Sequence, residues 1–309
     1  MSRIHDALKK AEEERLAGKI PMSHSVIESA EATHSVAIDA PAVEHKPTAT
    51  IAPDVADANS EALLQRCTKV HWRPNRDVTL FLENQSQVAP GMEEFRTLRS
   101  RLFQIRAKRP LKTILVSSAM PNEGKSFVSC NLAQVFARQA GGKTLLIDCD
   151  LRKPQLHEMF GAPSTPGLSS YLQGKSDEFS IIQKAGYEDL FFIPGGEVGP
   201  TTPELIGNGR FKVLLKQLAP YFSWIVVDSS PTGPVSDASR VAEFCDGVVL
   251  VVRAASTPAS VAEMAKKEFR DVPILGVVLN QVAQADHSYS KYYYGQYGYG
   301  QQMRANKKK

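Results

Sequence analysis

The chain has 309 residues, 42% of them apolar, which is enough for one large or two small domains with a core of normal size. Its 37 basic and 33 acidic residues leave a net charge of +4, so no strong field argues for nucleic acid, and only Arg304 to Lys309 is locally cationic. Cys67, Cys130, Cys149 and Cys245 are scattered without zinc-ligand spacing and read as reduced thiols of a cytosolic protein; no stretch approaches the roughly eighteen apolar residues of a membrane span.

The first element is a helix over residues 1–18, with Ile4, Leu8 and Ala11 on one face, Ser2 as N-cap and Gly18 past its end. It reads either as a docking helix for another protein or as a solvated end. Residues 19–75, rich in Ala, Ser, Thr, Pro and acids without a period, read as a flexible linker. A folded domain is expected over 76–285. It starts with a weak strand at "DVTLFLE" and a helix over 91–107 that spaces Phe95, Leu98, Leu102 and Ile105 along one side.

A regular alternation follows. Strands are expected at "KTILVSS", "TLLIDCD", "LFFIPGG", "WIVVDSS", "GVVLVVR" and "ILGVVLN", and helices over 125–140, 203–219 and 258–269. Strands that are apolar throughout, separated by amphipathic helices, describe an α/β fold whose mainly parallel sheet is covered on both faces. Residues 286–309 hold Tyr289, Tyr292, Tyr293, Tyr294, Tyr297 and Tyr299 among glycines that break any register. Taken alone, this stretch is a disordered low-complexity tail.

The segment "ILVSSAMPNEGKSFVSCNLA" runs from a buried strand through a tight loop into a helix. This is the layout of a P-loop nucleotide site, with Ala119, Pro121, Asn122, Glu123, Gly124, Lys125, Ser126 and Phe127 around the phosphates. Loop N–H groups face the phosphates, Lys125 supplies positive charge and the Ser126 hydroxyl is a Mg²⁺ ligand. Ala119 stands where the usual pattern has its first glycine. Downstream, "LLIDCDLRKP" and "WIVVDSSPTGPVSDA" bring Asp148, Asp150 and Asp228 to strand ends, where the metal and an attacking group belong. Each aspartate alone could simply cap a turn; three beside a P-loop lysine point to ATP and Mg²⁺.

These motifs, followed by a tyrosine-rich tail, resemble the bacterial tyrosine autokinases of exopolysaccharide export, within the wider MinD/ParA-like P-loop superfamily, over about residues 90–300. The resemblance implies an ATP-dependent protein-tyrosine kinase that phosphorylates its own tail tyrosines. In that scheme Ser126, Asp150 and Asp228 hold Mg²⁺ and Asp148 takes the phenol proton, with the division between Asp148 and Asp150 open. Arg152 either stabilises γ-phosphate charge or forms a surface ion pair; Asn280 either reads the adenine edge or forms a turn. The helix bearing Glu93, Arg96 and Arg99 resembles the subunit contact of a ring-like homo-oligomer in which each tail enters the neighbour's active site.

A separate transmembrane chain-length protein is the implied activator, which places a cytoplasmic kinase peripherally at the inner membrane. Two other readings stand beside this one. A MinD/ParA-type ATPase switch lacks its trans-acting lysine here, because Met120 occupies that position. A nucleotide-binding scaffold with little turnover has Ser230 in its favour, where the kinase family continues with proline.

Overall fold

A computed structural model describes residues 64–82, 91–139, 141–187, 189–199, 202–233 and 237–282. The expected N-terminal helix and tyrosine tail lie outside these residues. Eight strands form one sheet: β1 (Thr68–Lys69), β2 (Thr113–Ser118), β3 (Thr144–Asp148), β4 (Gln183–Lys184), β5 (Leu190–Ile193), β6 (Trp224–Asp228), β7 (Gly247–Arg253) and β8 (Ile274–Asn280). Their order is β1-β4-β5-β3-β6-β2-β7-β8, parallel throughout except between β4 and β5.

Among the described residues the α-helices are α1 (Met92–Arg106), α2 (Lys125–Ala137), α3 (Leu156–Phe160), α4 (Leu168–Leu172), α5 (Arg210–Leu218), α6 (Asp237–Ala242) and α7 (Ala259–Glu268). The continuous apolar runs of the central strands have a direct cause. Successive side chains point to opposite faces, and both faces are covered. On β6, Ile225 and Val227 join a core with Phe211, Leu214 and Val241 of α5 and α6. Trp224 and Val226 join another with Leu132, Val135 and Phe136 of α2. Trp224 stacks on Phe136, rings parallel within 2° and centroids 4.3 Å apart. Trp224→Ala is expected to destabilise the domain by about 3–5 kcal/mol, measured by chemical denaturation.

Three expectations are corrected. "DVTLFLE" is no strand: Leu80 and Phe81 are buried, but their N–H groups go to Asn131 Oδ1 (2.8 Å) and Gln134 Oε1 (2.9 Å) of α2. Two side-chain amides supply the acceptors that a neighbouring strand would have given. The helix expected over 203–219 is broken. A 3₁₀ turn covers Pro203–Asn208, and α5 starts after Gly209 at φ 80°, a left-handed conformation that interrupts the helix. The expected linker is packed chain by Leu64: Leu64, Cys67 and Trp72 are buried, and Trp72 stacks on Phe160 at 4.9 Å. One large aromatic and a two-residue strand anchor it, too few residues for a periodic pattern.

Burial pushes the Cys67 thiol up to about 11 and raises the other three cysteines as well, so all four favour the protonated thiol. Among the described residues no helix is long and apolar enough to cross a membrane.

Candidate active site

β6 lies between β2 and β3, so chain segments leaving the C-terminal ends of these neighbours enclose a crevice, the usual ligand position in an open parallel sheet. The loop from β2 to α2 forms one wall. It turns through two left-handed residues, Asn122 at φ 63° and Gly124 at φ 90°. Asn tolerates that region through its short polar side chain; at Gly124 a second constraint applies. A Cβ there would stand 2.1 Å from Asn280 Nδ2, which donates to the Glu123 carbonyl at 2.9 Å. The end of β8 is thereby fastened to the loop.

Glu123 is buried and faces away from the crevice. Its carboxylate accepts the Met120 N–H at 2.7 Å and the Thr257 hydroxyl, binding the loop to the end of β7. The sequence offers no sign of this pair, which is separated by 134 residues. Met120 itself is exposed.

Lys125 begins α2 and reaches Asp150 Oδ2 at 2.9 Å, with both side chains largely withdrawn from solvent. It also donates to Ser126 Oγ at 3.3 Å. The Ser126 hydroxyl donates to Asp228 Oδ2 at 2.7 Å, and Ser129 Oγ lies 2.8 Å from Asp228 Oδ1. Ser129 was not expected in the site, although its position one turn beyond Lys125 on the same helix face would have indicated it. Strand register sets Asp148 directly opposite Asp228. Asp148 accepts the Gln155 and Leu156 N–H groups through Oδ2 at 3.1 and 3.0 Å, and the Asp150 N–H through Oδ1 at 3.2 Å. It therefore shapes the turn into α3 as well as facing the cluster.

Burial works against the Lys125 charge, but Asp228, Asp150 and Asp148 outweigh it and raise the lysine's pKa. Burial is also the main reason Asp148 is pushed well above the carboxylate range, with the Asp228 charge adding to it. Asp228 is raised by burial despite Lys125, Ser126 and Ser129 pulling it down. A carboxyl with a raised folded pKa contributes its stability in the protonated form. That contribution is complete below the unfolded value of about 4 and fades as pH rises through the folded value. The nucleotide-free chain should therefore lose thermal stability, relative to Asp148→Asn, as pH rises above about 4. A melting series in matched buffers measures the difference in slope.

The crevice has a volume of about 570 Å³, with Pro121, Asn122, Phe127, Lys125, Asp150 and Ser230 among its walls. Phe127 is braced edge-on by Phe95 of α1 at 5.8 Å. Ser230 keeps its loop without the family's proline. The Ser117 hydroxyl donates to the Ser230 carbonyl at 3.0 Å, and the Thr232 N–H donates to the Ser118 carbonyl at 2.8 Å.

Two groups of expected residues have other partners. Arg152 pairs with Asp237 Oδ2 at 2.6 Å, the surface ion-pair arrangement. On α1, Glu93 pairs with Arg96, while Arg99 donates to the Val135 carbonyl at 3.1 Å and so braces α1 against α2. The six tail tyrosines lie outside the described residues.

The donor set suits a phosphate-bound divalent cation. Ser126, Asp150 and Asp228 offer oxygens only, as Mg²⁺ prefers. Among the described residues no three His, Cys, Asp or Glu side chains are grouped to hold a metal unaided. Phosphate oxygens would have to complete the shell, the usual arrangement for Mg²⁺ with a nucleotide.

The family described as the CobQ/CobB/MinD/ParA nucleotide binding domain matches residues 114–295. The chain is 33% identical to the tyrosine-protein kinase YwqD of Bacillus subtilis over 223 residues, covering 72% of this chain and 92% of YwqD. It is 36% identical to the tyrosine-protein kinase CpsD of Streptococcus agalactiae over 190 residues, covering 60% of this chain and 82% of CpsD. The solved kinase domain of the Escherichia coli tyrosine kinase ETK superposes with a TM-score of 0.61 at 30% identity, covering 67% of this chain and 82% of that domain. With a P-loop, a lysine among three strand-end carboxylates and these likenesses, the chain belongs to the bacterial tyrosine-protein kinases built on the CobQ/CobB/MinD/ParA nucleotide-binding domain.

Proposed function

We propose that this kinase uses Mg-ATP to phosphorylate Tyr289, Tyr292, Tyr293, Tyr294, Tyr297 and Tyr299 of a neighbouring copy's tail, and that it regulates exopolysaccharide polymerisation and export. The observation that carries this reading is the Lys125, Asp150, Asp228 and Ser126 cluster at the mouth of a crevice whose other wall is the P-loop. Bound Mg²⁺ would supply charge neutralisation at the phosphates, held by Ser126, Asp150 and Asp228. Lys125, now paired with Asp150, is placed to exchange that partner for the β- and γ-phosphates.

A tyrosine hydroxyl, with a reference pKa of about 10, must lose its proton during attack. Asp148 is the proposed acceptor. In its ionised form, which bound Mg²⁺ would favour, burial makes it a stronger base than an exposed carboxylate. Asn280, already against the Glu123 carbonyl, is the proposed adenine contact, and Arg152 would reach the γ-phosphate by leaving Asp237. Glu93, Arg96 and Arg99 are proposed to join copies into a ring. Arg99 would keep its Val135 contact and present only part of its guanidinium to a neighbour. A separate transmembrane chain-length protein, engaged in part by residues 1–18, would activate the kinase at the inner membrane. The exposed thioether of Met120 favours this reading over a MinD/ParA switch, whose trans-acting lysine needs that position.

Incubating the full chain with Mg-ATP and mapping phosphate by mass spectrometry tests the proposal. Phosphate is expected on the tail tyrosines, and changing all six to Phe should abolish it while nucleotide affinity stays within about twofold. ATP turnover without phosphotyrosine would overturn the reading.

A further inference from the structure

A second concave surface lies at the β1 edge of the sheet, at the strand ends opposite the phosphate loop. β1 and β4 run against β5, so their ends meet the start of β5 and the entry to β3, whereas the phosphate loop and the three aspartates sit where β2, β3 and β6 end. A cleft of about 400 Å³ opens at this meeting point. That volume is within the usual range of ligand pockets, roughly 300–1,000 Å³.

Its lining is chemically divided. Lys69 at the end of β1, Lys143 just before β3 and Lys184 at the end of β4 contribute three cations. No carboxylate among the described residues lies within ion-pair distance of any of them. Asp189 also lines the cleft, so the described side chains there carry three positive charges less one negative, a net of two. Lys184 is held in place with its ammonium 4.7 Å from the centre of the buried Phe191 ring. Its charge also pulls against the burial that raises the Cys67 thiol. The remaining wall includes the half-buried Val70 and Ala185, which offer apolar surface, and the buried Leu64.

Concentrated positive charge beside an apolar wall suits a ligand that joins a phosphate to a hydrophobic body. Sugar phosphates leave the wall unused, and inorganic phosphate does not reach it. A phosphotyrosine fits both halves, since its phosphate carries close to two negative charges and its ring is flat and apolar. We propose that this cleft binds a phosphotyrosine side chain, the phosphate among Lys69, Lys143 and Lys184 and the ring against Val70 and Ala185. The inference rests on the kinase reading for the origin of its ligand. At the site that makes it a phosphorylated tyrosine meets the carboxylates of Asp150 and Asp228, whereas the lysines at the β1 edge attract it. The cleft would therefore collect the product and free the active site for the next tyrosine.

The test uses the full chain, never exposed to ATP, and a synthetic peptide of residues 289–300 with or without phosphate on one tyrosine. Hydrogen exchange should slow at residues 64–70 and 184–187 with the phosphopeptide, which should bind at least about tenfold more tightly than the unmodified peptide. Lys143→Glu with Lys184→Glu should remove that difference while leaving ATP turnover unchanged. Protection confined to the P-loop, or equal protection by inorganic phosphate at the same concentration, would overturn the assignment. The wild-type exchange pattern decides this even if the charge-reversed chain folds poorly. Because the peptide is synthetic, binding without autophosphorylation would sink the kinase reading and leave the cleft standing. In the phosphorylated full chain, a protected cleft in a monomer assigns the ligand to its own tail, and in a dimer to a second copy.

Discussion

Lys125→Met is expected to lower phosphotyrosine formation by at least about a thousandfold, because phosphoryl transfer depends on positioned charge more than on covalent chemistry. Methionine keeps much of the side-chain volume and removes only the ammonium, which lies 2.9 Å from Asp150 and raises its own pKa on the charges of Asp228, Asp150 and Asp148. Losing that cation leaves three withdrawn carboxylates facing one another. Asp148 and Asp228, both already raised, can relieve the repulsion by taking up protons, so stability at mildly acidic pH should suffer less than activity. Radiolabelled phosphate transfer and calorimetric titration with nucleotide measure the two effects separately. A rate within about tenfold of wild type would remove Lys125 from the phosphate site.

Gly124→Ala should be nearly as damaging for a different reason. At φ 90° an L-residue costs about 1–2 kcal/mol, and the new Cβ would stand 2.1 Å from Asn280 Nδ2. The amide must then leave the Glu123 carbonyl, and loop and strand separate. Nucleotide affinity is expected to fall by about a hundredfold or more, since the loop N–H groups lose their common direction. Adding Asn280→Ala removes the clash and keeps the backbone cost. The double variant should therefore melt above the single one. If it melts no higher, the collision is not the source of the loss.

The central strands were legible because burial on both faces leaves long apolar runs, as at "GVVLVVR"; "ILGVVLN" also appears with the expected limits, but as the edge strand β8, where Val277 and Leu279 stay exposed. The phosphate loop was legible because its chemistry is local: glycine, lysine and serine are consecutive. Elements made by contacts distant in sequence were not. β1 and β4 have two residues each, and Asn131 and Gln134 replace a strand partner for Leu80 and Phe81 from fifty residues away. The same limit applies within the site. Lys125, Asp150 and Asp228 could be named from motifs, while the buried orientation of Glu123 and the Arg152 to Asp237 pair depend on folded neighbours.

The Asn280 amide on the Glu123 carbonyl has a kinetic consequence. It makes the launching point of the C-terminal segment part of the phosphate loop. Tyr289 follows nine residues later, on the order of 30 Å of fully extended chain. A reach of that length takes in more than one crevice once copies assemble, so for the proposed tail phosphorylation it is assembly that supplies the neighbour's site. The proposed transfer between copies therefore predicts phosphotyrosine formation that is second order in protein and slows on dilution.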